Sequence, residues 1–450
     1  MKKVRIGSGA GFAGDRIEPA VEIMEKGNLD YIIFECLAER TIAIDQQQKL
    51  IDKDKGYNEF LEYRMRKILP LCYEKKVKVI TNMGAANPVS AVKIVKKTAL
   101  EIGIKGLKIA SVLGDDILEH IDEYMSCRIL ETGKKLNSIR SNIISANAYI
   151  GVQGIIEALE NGADIVVTGR VADPSLTLAP LMFEFGWDEN DYELLGKGTL
   201  AGHLLECAGQ VTGGYFADPG YKEVPDLWNL GFPIAEITEN GDITVTKLED
   251  TGGIVNQHTC KEQAIYEIHD PANYFTPDVT ADFSKITIEE TGVNRVLIKG
   301  ASGKEKNGLF KVSIGYKDCY VGEGEISYGG SGAYERADLA GKIIRKRLEY
   351  INLPIDELKV DIIGVDSLYG NYLSRKINAR CDFKEVRLRV AARTLKKENA
   401  KTIGNEVEAL YTNGPSGGGG VRKYADEIIS IASILVPRKD IKINVIYEKV

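Results

Sequence analysis

Short apolar runs alternate with amphipathic stretches from the start of the chain. Val4-Arg5-Ile6 is extended and apolar, the glycine-rich segment Gly7 to Asp15 interrupts it, and Ile17 to Lys26 has helical spacing. The order then recurs. Asp30 to Phe34 ends at Glu35, and beyond a polar insertion a helix is predicted from Tyr57 to Glu74. Val77 to Thr81 ends at Asn82 and leads to a helix over Pro88 to Ile102. Leu107 to Val112 leads to Gly114-Asp115-Asp116 and a further helix. Ile143-Ile144-Ser145 leads to Asn147 and the helix Val152 to Glu160, and Asp164 to Thr168 ends in Gly169-Arg170-Val171-Ala172-Asp173-Pro174-Ser175. Apolar strands alternating with helices of this length predict an α/β fold, a parallel sheet with helices on both faces. Either an open sheet or a closed barrel satisfies the pattern.

The texture changes near Glu193. A helix over Leu200 to Gly209 has no strand before it and is followed by the glycine-rich Gln210 to Pro219. Residues 240–330 alternate as Ile243-Thr244-Val245-Thr246 does, and read as mainly β. A helix over Tyr334 to Tyr350 and the strand Val360 to Gly364 follow. The organisation expected is a parallel α/β domain over 1–190, a mixed, β-rich region over 191–335 and a C-terminal α/β region over 336–450, so that a mixed α+β part follows the parallel one.

Composition sharpens this in three ways. With 450 residues, 44% hydrophobic and 27% charged, the chain is long enough for more than one domain and is neither disordered nor fibrous. A formal charge of -7 without a basic block argues against nucleic acid. No secretory leader pattern and no membrane-length apolar run is visible, so a cytoplasmic protein is expected. Seven cysteines, Cys36, Cys72, Cys127, Cys207, Cys260, Cys319 and Cys381, lie far apart without a C-x-x-C pair, which fits reduced, mostly buried thiols.

All strand ends of a parallel sheet face one crevice, and ligands bind there. This gathers Glu35, Asn82, Asn87, Asp115, Asp116, Asn147, Arg170 and Asp173 as candidates. Arg170 suits a carboxylate or phosphate. Asp173 or Asp115 suits a general base once burial raises its pKa, and equally suits a helix cap. His203 is a candidate proton shuttle, and His203, Glu206 and His258 are candidate metal ligands without a recognised spacing. Gly9-Ala10-Gly11-Phe12-Ala13-Gly14 matches G-x-G-x-x-G, and Glu35 lies 21 residues past Gly14, the spacing of a nicotinamide or flavin site. Against it, Gly7 already ends the strand and Asp15 sets a negative charge where a diphosphate would lie; another anion or a tight turn also fits. Asn413 to Gly420 with Arg422 is either an anion-holding loop or a flexible one. No G-x-S-x-G elbow supports a serine hydrolase.

The segments Gly9 to Arg16, Thr168 to Ser175, Gly202-His203-Leu204-Leu205-Glu206-Cys207, Gly213-Gly214-Tyr215-Phe216 and Tyr274 to Phe283 together resemble the acyclic terpene utilisation (AtuA) family over most of the chain. The resemblance implies catabolism of branched acids handled as coenzyme A thioesters and a separately encoded small subunit as a partner, since longer relatives continue into a small C-terminal domain; a homo-oligomer is also expected. It supplies no catalytic residue and no cofactor. The function expected is a lyase or hydratase acting on a small carboxylate or its acyl-CoA thioester. Arg170, Asn82, Asn147, Gly9, Gly11, Gly14 and Glu35 would bind substrate and Asp173, Asp115 or His203 would move the proton. A nicotinamide-dependent oxidoreductase and a non-catalytic ligand-binding subunit stand beside it.

Overall fold

A computed structural model describes residues 2–377 and 383–450. Cys381 lies outside the described residues; the other six cysteines are free thiols. The chain forms two compact units, residues 1–316 with 431–450, and residues 317–430.

The first unit opens with β1 (Lys3–Ala10), α1 (Glu18–Lys26), β2 (Tyr31–Phe34), α2 (Glu39–Ile51), α3 (Leu61–Lys75), β3 (Lys78–Thr81), α4 (Pro88–Glu101) and β4 (Lys108–Leu113). It continues through β5 (Ile143–Ala148), α5 (Gln153–Glu160), β6 (Ile165–Thr168), α6 (Ser175–Phe185) and α7 (Tyr192–Glu206). Then come β7 (Ile234–Thr238), β8 (Ile243–Thr246), α8 (Gln257–Ile265), β9 (Tyr274–Phe275), β10 (Thr280–Asp282), β11 (Thr287–Gly292), β12 (Arg295–Lys299) and β13 (Ser302–Lys304).

The main sheet runs β11-β12-β8-β7-β1-β2-β3-β6-β4, with the C-terminal strand β18 (Asn444–Lys449) beyond β4. It is open, with β11 and β18 at its edges. From β1 to β4 the pairings are parallel; β7, β8, β11, β12 and β18 join antiparallel. The α/β class read from the pattern is therefore present. Within residues 191–335, β7, β8, β12 and β11 continue the sheet beyond β1, and β9, β10 and β13 form a separate three-stranded sheet.

β2 and β6 are buried throughout, as strands covered on both faces must be. Their side chains alternate between two cores. Ile33, Ile80 and Val166 pack with α5, α6 and α7 residues such as Ile155, Leu178 and Leu204. Phe34, Val79 and Val167 pack with α1, α3 and α4 residues such as Ile23, Met65 and Val95. Local signals set the helix starts. Asn87 caps α4, its side chain accepting Ser90 N–H at 3.3 Å with Pro88 in the first turn, and Asp191 caps α7 by accepting Leu194 N–H at 3.2 Å.

Two elements depart from the sequence reading. β5, read as a parallel strand, leaves the main sheet and pairs antiparallel with residues 312–316 of β14 (Leu309–Gly329). The polar insertion after Glu35 is helix α2, whose apolar residues are too few to mark one face.

The second unit is a small sheet in the order β15 (Glu357–Ile363), β16 (Glu385–Thr394), β14 and β17 (Gly419–Pro437). Helix α9 (Ala333–Tyr350), the shorter α10 (Gly370–Ile377), α11 (Lys397–Glu408) and α12 (Leu410–Asn413) complete it. Its own core joins Ile344 and Ile403 to Leu388 and Val390. The Gly417 to Gly420 run and the exposed Arg422 belong to this unit.

Candidate active site

The ends of β1, β2 and β6 open onto a cavity of about 1260 Å³ in the first unit, larger than most small-molecule sites. Apolar side chains form much of its wall, among them Leu37, Leu130, Leu230, Phe232, Phe310 and Leu435. Phe12, Tyr215 and Phe275 also line it although they are 59%, 88% and 66% exposed, so they stand at its mouth. Tyr215 (φ 60°) and Glu267 (φ 59°), both lining residues, hold left-handed backbone, which is uncommon outside glycine and recurs at functional sites.

The loop after β6 dominates the floor. Arg170 is 1% exposed, and its guanidinium is held by the protein through three hydrogen bonds and a ring: it donates to the Leu37 carbonyl, to the Val171 carbonyl at 3.1 Å and to the Asp173 carboxylate, and lies 4.3 Å from the Tyr149 ring centroid. An anion gripped by Arg170, the role expected from the sequence, would share the guanidinium with Asp173. Asp173 presents about a third of its side chain to the cavity. Desolvation raises its carboxyl to about 7, with Arg170 opposing and the negative charges of Glu206 and Glu39 adding to the rise.

Glu35 ends β2 and lines the same cavity. Burial pushes its pKa well above the carboxylate range, and the charge of Asp173 pushes it further. Asn82 orients it, donating to Glu35 Oε1 at 2.9 Å while accepting Cys36 N–H at 2.7 Å. Asn82 is thus fully buried behind the site.

Asp115 and Asn147 lie behind it as well. One oxygen of Asp115, Oδ2, accepts Arg170 N–H at 2.8 Å and Asn147 Nδ2–H at 3.0 Å, and burial raises the Asp115 carboxyl to about 6. A Cβ at Gly169 would fall 2.6 Å from both Asp115 oxygens, so glycine there lets the loop rest on the carboxylate. Asp115 is a support for the Arg170 loop.

The early glycine loop is held differently from a dinucleotide site. Gly9 is inside β1, where a Cβ would meet the Phe34 ring, and Gly11 packs on the Cys207 backbone. Gly14 is exposed in the loop. The Gly11 N–H is donated to Asp15 Oδ2 at 3.0 Å, and Asp15 Oδ1 accepts Arg16 N–H at 2.8 Å. The backbone donor that would meet a phosphate is occupied by a carboxylate of the chain itself, and α1 begins with Glu18.

Helix α7 closes another side. Gly202 abuts Pro174, where a Cβ would come within 2.5 Å of its carbonyl oxygen, so α7 approaches the Asp173 loop closely. His203 Nδ1 lies 2.7 Å from Glu206 Oε1. His203 is 2% exposed, clustered with the Tyr274 and Phe283 rings, and does not line the cavity; Glu206 does. His203 Nε2 and Glu206 Oε2 are both buried without a hydrogen-bond partner among the described residues. His258 is exposed at the start of α8, and no group of three or more His, Cys, Asp or Glu among the described residues could hold a metal ion.

Several lining residues escaped the sequence reading. Glu39, at the start of α2, accepts the Tyr149 hydroxyl and Lys311 Nζ at 3.2 Å. Against the upward pull of burial, these donors and Arg170 hold its carboxyl down to about 2. The Tyr274 hydroxyl is pushed well above its usual range by burial and by Glu206 and Asp173. The signals available were Tyr149, two residues past Asn147, and Tyr274, inside one of the recurring segments. Glu39 was hidden in the unrecognised helix.

Residues 4–447 match the model of the acyclic terpene utilisation family protein AtuA, and the chain belongs to that family. No curated protein matches it. Among the described residues no helix is long and apolar enough to cross a membrane.

Proposed function

We propose that this chain is an acid–base enzyme of the hydratase or lyase type, acting on a branched acyl substrate such as a coenzyme A thioester. The observation that carries the reading is the pair Asp173 and Glu35: two carboxyls on the loops after β6 and β2, the strands on either side of β3, each raised by burial and both lining one large, mainly apolar cavity. Two such groups supply an acid and a base near neutral pH, because the negative charge on whichever has lost its proton disfavours release from the other. In hydration one carboxyl gives a proton to carbon and the other takes one from the attacking water, so that the pair ends with the proton count it began with.

The volume and the apolar walls favour a branched acyl chain over a small free acid, and the engaged Arg170 removes the obvious anchor for a bare carboxylate. The purified protein, incubated with branched enoyl thioesters in oxygen-labelled water, should place the label in a hydroxyl product, and Asp173→Asn should stop it. No labelled product across a panel of chain lengths, in either reaction direction, defeats the reading.

A further inference from the structure

The charge around the cavity is lopsided. Six carboxylates line it, Asp15, Glu35, Glu39, Asp173, Glu206 and Glu267, against two cations among the described residues, Arg170 and Lys311. Both cations are already paired, Arg170 with Asp173 and Lys311 with Glu39. Glu35, Glu206 and Glu267 make no ion pair with lysine or arginine among the described residues. Burial holds Glu35 and Asp173 toward their protonated forms, so the negative charge that faces the cavity without a lysine or arginine partner is chiefly that of Glu206 and Glu267, and it favours a cation over an anion.

Two further observations point to a ligand of opposite character. Glu206 Oε2 is a buried acceptor with no partner among the described residues, while Oε1 lies 2.7 Å from Nδ1 of the buried His203; an acceptor left unmet is costly, and a positive charge brought to the cavity wall that Glu206 forms would lower that cost. The wall is aromatic in part: Tyr274, near enough for the charges of Glu206 and Glu267 to act on its hydroxyl, lines the cavity together with Phe275, and Phe12 and Tyr215 stand at the mouth. Aromatic faces attract cations and repel anions.

We infer that the cavity selects a branched group that carries, or gains during the reaction, a positive charge. The inference rests on the acid–base reading for its chemistry and sharpens it. Protonation comes first: a carboxyl proton passes to one carbon of a double bond, the π electrons form the new C–H bond, and the neighbouring branched carbon is left positive beside Glu206 and the aromatic wall. A water oxygen then bonds to that carbon and its proton goes to a carboxylate, so alkene and water become alcohol and the carboxyl pair is restored.

Three soluble probes of one shape test it without a known substrate: choline, neohexanol, in which carbon replaces the choline nitrogen, and tert-butylacetate, the carboxylate of that skeleton. Titrated into the protein at low salt, choline should bind about tenfold more tightly than neohexanol, and tert-butylacetate most weakly. Glu206→Gln should erase most of the choline advantage and leave neohexanol unchanged. Glu267→Gln, at the exposed rim, should show the same direction more weakly and serves if Glu206→Gln does not fold. Choline binding no tighter than neohexanol, including binding of neither, overturns the inference, as does tert-butylacetate binding best or a choline advantage that survives both substitutions. A protein that ranks the probes as expected but hydrates nothing keeps the charge assignment and loses the acid–base reading. One that turns over substrate but prefers the carboxylate does the reverse.

Discussion

Arg170 donates to the carboxylate of Asp173 three residues further along the same loop, and the cation is buried while the anion faces the cavity. The pair fixes both groups. Arg170 stays in place through two backbone carbonyls and the Tyr149 ring, and Asp173 keeps its carboxyl oriented while burial outweighs the guanidinium and lifts its pKa to about 7.

Replacing Arg170 should therefore damage both fold and site. Arg170→Ala removes a buried cation, three hydrogen bonds and a ring contact, and should cost about 2–4 kcal/mol in urea unfolding. In whatever fraction remains folded, the Asp173 carboxyl should rise further, since the charge that opposes the rise is gone. A variant as stable as the parent contradicts the described role.

Asp115 separates support from catalysis. Both of its donors, Arg170 N–H and Asn147 Nδ2–H, reach the same oxygen, and the amide oxygen of Asp115→Asn can accept both. The variant should keep its activity, whereas loss of a general base would abolish it. Stability tests the same residue. Its folded pKa of about 6 exceeds the ordinary 3.8, so the native state holds the proton more tightly and wild-type stability falls as pH rises from about 4 through 6. Asp115→Asn should remove that component, about 1–3 kcal/mol, and be the more stable protein above pH about 6. Equal slopes for the two proteins would falsify the assignment.

Activity should report on Asp173. If its protonated form is the acid, kcat/KM falls as pH rises through about 7, and Asp173→Asn loses both the activity and the inflection. The groups bearing on that titration are Arg170, Glu206, Glu39 and Glu35. A profile flat from pH about 5 to 9 would exclude Asp173 as the acid.

The glycine loop gives a fourth test. With the Gly11 amide held by Asp15, neither NAD nor NADP should quench or shift protein fluorescence at concentrations that saturate ordinary dehydrogenases. Gly11→Ala should lower the thermal midpoint, because its methyl collides with the Cys207 backbone. Saturable binding of either dinucleotide would return the loop to the role that its spacing suggested.

How far these features were legible varies with the physics behind each. β1, β2, β3, β4 and β6 were readable because burial on both faces writes short, mainly apolar runs, and the ends of β2 and β6 led directly to Glu35, Arg170 and Asp173. β5 carries the same kind of run, and nothing local distinguishes a strand that pairs with β14 instead, so Asn147 was gathered into the crevice when it lies behind it. For Asp115, residue type gave no indication that a carboxylate at a strand end would turn inward to hold a neighbouring loop. Glu206 was noticed only as a possible metal ligand. Its place in the cavity depends on α7 resting against Pro174 at Gly202, a contact between elements distant in sequence.

The most direct test of the account needs no substrate. A carbon NMR titration of the Asp173 carboxyl, assigned by its loss in Asp173→Asn, should give a midpoint at about 7 that moves down when Glu206→Gln removes a neighbouring negative charge. A midpoint in the ordinary range near 4, unmoved by that substitution, would contradict the central claim that this cavity holds a carboxyl poised for proton transfer at neutral pH.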